Sequence, residues 1–246
     1  VRGLLNLYKN IISRLRELET GTSETSNLWM IPFFTLLGYE LQAEHTAEHI
    51  ADTGKTFSIS HRAINLDRIP VHIAGINLNL DERSDSGGIR VSPHALVQEY
   101  LNCTEFIYGL VTNGRYIRLL RDSTRLVRLT YLEFNLEKMM EEELFSEFAI
   151  LYRLIHATRM PEKRDSAEES PLEFYHNESL ASGSRIRNRL SVAVEKGLKI
   201  LADGFLRHPD NVVLREAIRN NQFTADDMFV VQLRLIYRLL FLTVTE

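Results

Sequence analysis

Residues 92–122 read SPHALVQEYLNCTEFIYGLVTNGRYIRLLRD, an order of local signals that few folds accommodate. Ser92 before Pro93 marks a helix start, because a serine oxygen can satisfy an orphan amide and proline is pre-shaped for the first helical position. The helix carries Leu96, Val97, Tyr100 and Leu101. Phe106–Thr112 is rich in β-branched and aromatic residues, which predicts a strand. Asn113-Gly114 predicts a two-residue hairpin turn with φ > 0 at both central residues, and Tyr116–Arg121 is the returning strand. A helix feeding a buried strand and a hairpin predicts an α/β (α+β) domain with a mixed sheet and flanking helices.

The chain has 246 residues, 44% hydrophobic and 25% charged, the composition of one large globular domain or two small ones. Its net charge is −4 at pH 7. A free-standing DNA clamp is usually basic overall, so any contact with nucleic acid has to be a local patch or be shared with other parts of the molecule. The single cysteine, Cys103, excludes an internal disulfide and a cysteine-type zinc site and fits a reducing, cytoplasmic setting. No signal-peptide pattern and no apolar run long enough to span a bilayer are legible, so no membrane partner is expected. Position 1 is valine, and the strongly apolar Met228–Val244 ends without a glycine, asparagine or proline stop. Both features predict a segment of a longer polypeptide.

Taken in order, Leu4–Leu18 has a helical apolar period, Thr20-Gly21-Thr22 breaks it, and Ser23–Leu37 starts a second helix with Pro32 early in it. Phe57–Ser60 alternates like a short strand and Ile69–Leu80 reads as a longer one, buried at Val71, Ile73 and Ile76. Residues 81–88 read as a loop, Leu126–Phe134 as a further strand and Leu136–Ile155 as one helix. The charged run 159–170, flanked by prolines, predicts a linker between an α/β domain at 1–158 and an all-helical connector at 171–246. In the connector, helices are expected over Ser184–Phe205, Asn211–Asn220 and Thr224–Val244, the last capped by Thr224 with Asp226 and Asp227 in its first turn.

Several of these patterns together resemble one family. The helix pair ending in LLGYEL, the strand after Pro70, Gln98 and Tyr100 on the helix before GLVTNG, its partner RYIRLLRD, and the closing YRLLFL (Tyr237–Leu242) are similar to type IIG-like restriction–modification proteins. The resemblance implies a PD-(D/E)xK nuclease-like domain joined by helices to an adenine-specific, S-adenosylmethionine-dependent DNA methyltransferase. Some relatives of that kind serve DISARM-like or BREX-like phage defence, and a subset have nuclease-like ends that lack cleavage residues. Double-stranded DNA, the chain's own C-terminal methyltransferase domain and other defence-system subunits are the partners implied.

Metal-assisted phosphodiester hydrolysis needs carboxylates for Mg²⁺ and a lysine or base that organises the attacking water. By the resemblance, His72 stands at the acid position and Ala74 at the lysine position, Asp67 could supply the earlier acid, and Gln98 stands where family members carry a helix glutamine facing the site. A histidine cannot replace two carboxylates and a lysine, so the nuclease is expected to be degenerate, with no confident catalytic residue, and Mg²⁺ enters only if it is active. The bland reading of Gln98 is an exposed polar residue on a helix. No glycine-rich cofactor turn and no Asn/Asp-Pro-Pro-aromatic motif occurs here, so S-adenosylmethionine is expected only in the parent chain.

His45-Thr-Ala-Glu48-His49 fits the H-x-x-E-H zinc pattern, which needs a firm helix; a solvated polar stretch is the competing reading, and no metal site is expected. Arginine suits phosphate by its fork geometry, so Arg115, Arg118, Arg121 and Arg125 around the second hairpin strand, and Arg185, Arg187 and Arg189 on the long helix, are the candidate DNA contacts. The plain alternative is that these arginines pair with carboxylates. The function expected is an N-terminal segment of an adenine-specific DNA methyltransferase that contacts DNA or partners and positions the methylase. An active Mg-dependent restriction endonuclease domain and a scaffold with no DNA role are the alternatives.

Overall fold

The computed structural model describes residues 2–18, 20–83, 91–122 and 131–245. The chain divides into two compact units, Val1–Tyr175 and His176–Glu246. The first is a mixed α/β unit around a six-stranded sheet of order β1-β4-β5-β6-β7-β8. Its strands are β1 (Leu41–Ala43), β4 (His61–Ala63), β5 (Ile69–Ile73), β6 (Tyr108–Thr112), β7 (Tyr116–Arg121) and β8 (Tyr131–Asn135). β5 and β6 are parallel and the other pairs antiparallel. A parallel pair needs a crossover, and α4 (Pro93–Asn102) is the helix in that connection. Ser92 caps it as its sequence predicts, its Oγ accepting from Ala95 N at 3.2 Å.

Strand alternation gives the sheet two faces. On one, α4 packs so closely that a Cβ on Gly109 would lie 3.1 Å from Val97 and 3.3 Å from Leu101. On the other lie α1 (Arg2–Arg16), α2 (Thr22–Glu24), a π-helical turn over Thr25–Met30 and α3 (Ile31–Leu36). The wide turn ends where Pro32, which cannot supply an amide, enters α3. The centre of the sheet is buried on both faces, every residue of β5 and β6 included, whereas the edge strands β1 and β8 are largely exposed. Trp29, Phe33 and Phe34 are wholly buried, and Trp29 Nε1 donates to Gly114 O at 2.9 Å, tying the helical layer to the hairpin.

That hairpin differs from the expected two-residue turn. The register pairs Thr112 with Ile117, so four residues lie between the paired positions, and Gly114 has φ +83 whereas Asn113 has no positive φ. Asn113 acts through its side chain: Oδ1 accepts from Arg115 N at 3.1 Å and Tyr116 N at 2.9 Å, an Asx-type turn. Other boundaries also shift. The strand expected over Ile69–Leu80 stops at Ile73, and the chain turns at Gly75 beneath Thr20. The helix expected over Leu136–Ile155 is two, α5 (Leu136–Glu141) and α6 (Phe145–Ile155), broken where Glu143 takes φ 54. Residues 126–130 of the strand expected over Leu126–Phe134, with Arg125 just before them, lie outside the described residues. A separate hairpin pairs β2 (Glu48–Ile50) with β3 (Lys55–Phe57), so the short strand expected at Phe57–Ser60 falls earlier.

The run expected to be a linker packs into the first unit, with Met160, Ala167 and Ser170 buried. Glu162, Lys163, Asp165, Glu168 and Glu169 are exposed while these three anchor it. The unit boundary falls inside α7 (Pro171–Arg207), thirteen residues longer at its start than the predicted helix. In the first turn of α7, buried Glu173 accepts from Tyr108 Oη at 2.5 Å and from Arg121 Nη2 at 2.6 Å. The second unit continues with α8 (Val212–Arg219) and α9 (Ala225–Thr245). The predicted Thr224 cap forms reciprocally with Asp227: Thr224 Oγ1 accepts from Asp227 N at 3.2 Å and donates to Asp227 Oδ2 at 2.7 Å. Among the described residues no helix is long and apolar enough to cross a membrane.

Gly75 makes the sharpest packing demand. A Cβ there would stand 2.0 Å from Thr20 O, a backbone atom that cannot rotate away. Gly75→Ala is expected to cost about 3 kcal/mol, at the upper end of overpacking, read as a lower urea midpoint with unchanged m.

Candidate functional site

Among the described residues the first unit has at least three clefts. One is apolar, between Leu4, Phe33, Leu37 and Phe148. A second is polar and lies beside Asp81, Arg115 and Arg118. The third, of about 340 Å³, lies at the carboxyl end of β5 beside the start of α4. It contains His72 and Ala74, the two positions that the resemblance singles out, together with Ser58 and Ser60 from the segment before β4. His72 and Ala74 are two residues apart, and both line this cleft.

The other two predicted positions lie elsewhere. Asp67 sits in the turn joining β4 to β5, before the Ala63–Ile69 pair, in a left-handed conformation with φ 49. His72 lies three residues beyond Ile69, about 10 Å further along the strand at 3.3 Å per residue. Asp67 therefore cannot complete a metal set with His72, and by register Ser60 lies across the sheet from His72. Gln98 is 4% exposed and does not line the cleft; its Nε2 donates to Arg121 O at 3.0 Å and to Asn102 Oδ1 at 3.1 Å. Both readings of Gln98, a site glutamine and an exposed helix residue, give way to a buried tie between α4 and the end of β7. Lys55 pairs with Glu99 at 2.6 Å on the protein surface.

His72 is 8% exposed, and its Nδ1 makes no hydrogen bond. Burial, and secondarily the neighbouring His61, pushes its pKa down to about 4, so the ring is neutral at physiological pH. His61, on the opposite face, is held between Ser26 Oγ (3.2 Å) and Ser60 Oγ (2.9 Å), and burial also lowers its pKa. Ser60 Oγ accepts from Ile73 N at 2.8 Å, bracing β5 at the cleft. No composition or motif signal marks Ser58 or Ser60; only the sheet register brings them to His72.

The register also aligns His72, Val111, Arg118 and Glu133 across four strands, on the α4 face. Arg118 is 5% exposed. Its guanidinium is gripped by both oxygens of Asp81 (2.6 and 2.7 Å) and by Glu133 (2.6 Å), contacts His94 Nδ1 at 3.2 Å, and stands 4.7 Å over the Tyr131 ring. Hydrogen bonding to Arg118 holds the Asp81 carboxyl below its ordinary value. Arg118 is thus buried with its charge neutralised, which corrects the expectation that it faces phosphate. Arg121 is paired with Glu173 in the same manner. Arg115 donates to Asn77 Oδ1 at 3.1 Å, and Arg125 lies outside the described residues.

Of the H-x-x-E-H pattern, Glu48 and His49 lie on a hairpin strand and His45 in the loop before it, none on a helix. Glu48 and His49 are neighbours on β2 and so point to opposite faces. Glu48 Oε2 accepts from Arg62 Nη2 (2.6 Å) and Tyr100 Oη (3.0 Å), while His49 contacts Thr56. Among the described residues no group of three histidine, cysteine, aspartate or glutamate side chains could hold a metal.

On α7, Arg185 bonds Glu178 at 2.5 Å, whereas Arg187 and Arg189 are exposed with no ion pair among the described residues. Arg185, Arg189 and Lys196 are spaced i, i+4 and i+11, one face of a helix; Arg187 is turned about 200° from Arg189. These four basic residues therefore separate into a stripe of three and an outlier. No family model, no curated protein and no solved structure matches this chain.

Two outcomes follow from these geometries. Removing both counter-charges with Asp81→Asn and Glu133→Gln leaves a buried guanidinium and should cost about 3–5 kcal/mol, whereas Arg118→Met should cost less, because the carboxylates it frees reach water; urea denaturation checks the order. The folded His72 binds its proton less tightly than the unfolded one, with a pKa of about 4 against 6.5. Stability is then complete above pH 6.5 and falls as pH drops towards 4, by up to about 3 kcal/mol from this group. His72→Phe should flatten the urea midpoint across that window, leaving a smaller fall from His61 and His94, which shift the same way.

Proposed function

We propose that this chain is the N-terminal segment of an adenine-specific DNA methyltransferase of a restriction–modification or phage-defence system. In this reading the first unit is a PD-(D/E)xK nuclease-like domain that does not cleave, and the helical unit is the connector to the methylase domain. One observation carries the nuclease-like part: an antiparallel meander, a helix and a parallel strand place positions 72 and 74 in one cleft at the strand end. That is the location where such a fold needs an acid and a lysine, and the side chains present are an imidazole and a methyl. With Asp67 outside the cleft and no lysine lining it among the described residues, Mg²⁺ binding and activation of water lack the groups that this chemistry uses. The methylase and defence assignments rest on the sequence resemblance alone, and S-adenosylmethionine would bind in the parent chain.

DNA contact, in this reading, belongs to the exposed stripe Arg185, Arg189 and Lys196 rather than to the hairpin arginines. The pairing of Arg118 and Arg121 with carboxylates favours a second reading, a protein-binding scaffold without a DNA role. The two are separated on the purified chain. Supercoiled plasmid with Mg²⁺ or Mn²⁺ should remain uncut, and nicking abolished by a change at His72 would overturn the degenerate assignment. Duplex binding should weaken with salt, and Arg189→Ala with Lys196→Ala should lower the salt slope by about two. Binding that is absent, or indifferent to that pair, favours the scaffold.

A further inference from the structure

Among the described residues the His72 cleft has no metal-holding group of three and no lysine or arginine for a phosphate, yet it is not inert. Among the described residues no lysine or arginine lines it, and its one carboxylate, Glu44, is already held by Arg68. An incoming ion would lose its hydration and meet no lysine, arginine or free carboxylate among the described lining residues, which disfavours charged ligands. Its polar lining is His72 with the hydroxyl-bearing Thr46 and Ser58 and the exposed His45, and its apolar lining includes Leu78, Pro93 and Leu96. His72 Nδ1 is enclosed and unpaired. With Nδ1 closed off, the ring nitrogen left to the cleft is Nε2, which makes no hydrogen bond among the described residues and can give or take one from a ligand. Ala74, 4% exposed, is the small residue that keeps the floor open.

An occupant that suits both linings is neutral, offers donors and acceptors along one edge and is otherwise flat and apolar. Nucleobase edges have that alternation of donors and acceptors. The volume of about 340 Å³ falls at the low end of small-ligand sites and has room for one base. The geometry points to a nucleobase-binding site in this cleft, hydrogen-bonded to His72 and seated against Leu96, which takes either a free nucleoside or a base turned out of a DNA strand. The choice of DNA as a source rests on the proposed function; the free-nucleoside source does not.

The test titrates the purified chain with adenosine, guanosine, cytidine and thymidine, with a short single-stranded oligonucleotide, and with inorganic phosphate and Mg²⁺, by calorimetry. One base should bind at one site per chain, with phosphate and Mg²⁺ silent. His72→Phe should weaken binding roughly tenfold, the loss of one buried hydrogen bond. Ala74→Leu should block the floor and abolish binding, with circular dichroism verifying that each variant is folded. Nucleoside binding that depends on both residues, without any oligonucleotide binding, upholds the cleft and removes the DNA reading. Oligonucleotide binding that ignores both residues upholds DNA contact and overturns the cleft. No His72-dependent binding of either probe, or binding of phosphate or Mg²⁺ there instead, also overturns it.

Discussion

A guanidinium on the inner face of a sheet is tolerated only if its charge is answered within reach, and the arrangement around Arg118 follows from that requirement. Its partners come from different parts of the chain: Asp81 from the segment after β5, Glu133 from β8 and His94 from α4. One side chain thus fixes how the crossover leaves β5, how β8 registers on β7, and where α4 begins. Neighbouring polar contacts reinforce the same segment, with Asn113 Nδ2 donating to Leu78 O at 2.8 Å and Thr25 Oγ1 accepting from Ile76 N at 3.0 Å. The His72 cleft is bounded by the elements that this anchor positions.

Local signals were legible where local chemistry decides. Ser92 and Thr224 cap helices because each oxygen needs only an amide three residues away, and Gly114 adopts positive φ where the turn requires it. Asn113 shows the limit of such reading: a hairpin dipeptide was recognisable, but whether asparagine serves by its backbone or its amide depends on the flanking Thr112 and Tyr116. The H-x-x-E-H spacing is a helix motif only if the residues are helical, and pairing with Lys55–Phe57 put Glu48 and His49 on a strand.

The candidate site was legible in its two central positions and not in its surroundings. His72 and Ala74 are two apart on the strand expected over Ile69–Leu80, so sequence alone predicts that they share a direction. Asp67, Gln98 and the hairpin arginines depend on partners distant in sequence. Arg121 and Glu173 are separated by a run that reads as a linker, and a one-dimensional view shows an arginine-rich strand and a charged spacer where the folded chain has an ion pair. Charge clusters are therefore weak evidence of a nucleic-acid surface until their counter-ions are located. The helical arginines, whose neighbours are set by the 3.6-residue repeat, could be sorted by face without tertiary information.

The clasp of Glu173 bears on where this chain can be divided. Its carboxylate is the buried counter-ion of Arg121 and the acceptor for the Tyr108 hydroxyl, whose pKa burial and Glu173 together raise. A fragment ended at residue 158, or anywhere before α7, would leave a phenol and a guanidinium at the base of β6 and β7 without their acceptor. The autonomous α/β piece must carry the opening turn of the long helix with it, so the natural cutting point for dissecting the molecule is set by one carboxylate rather than by the composition of the run preceding it.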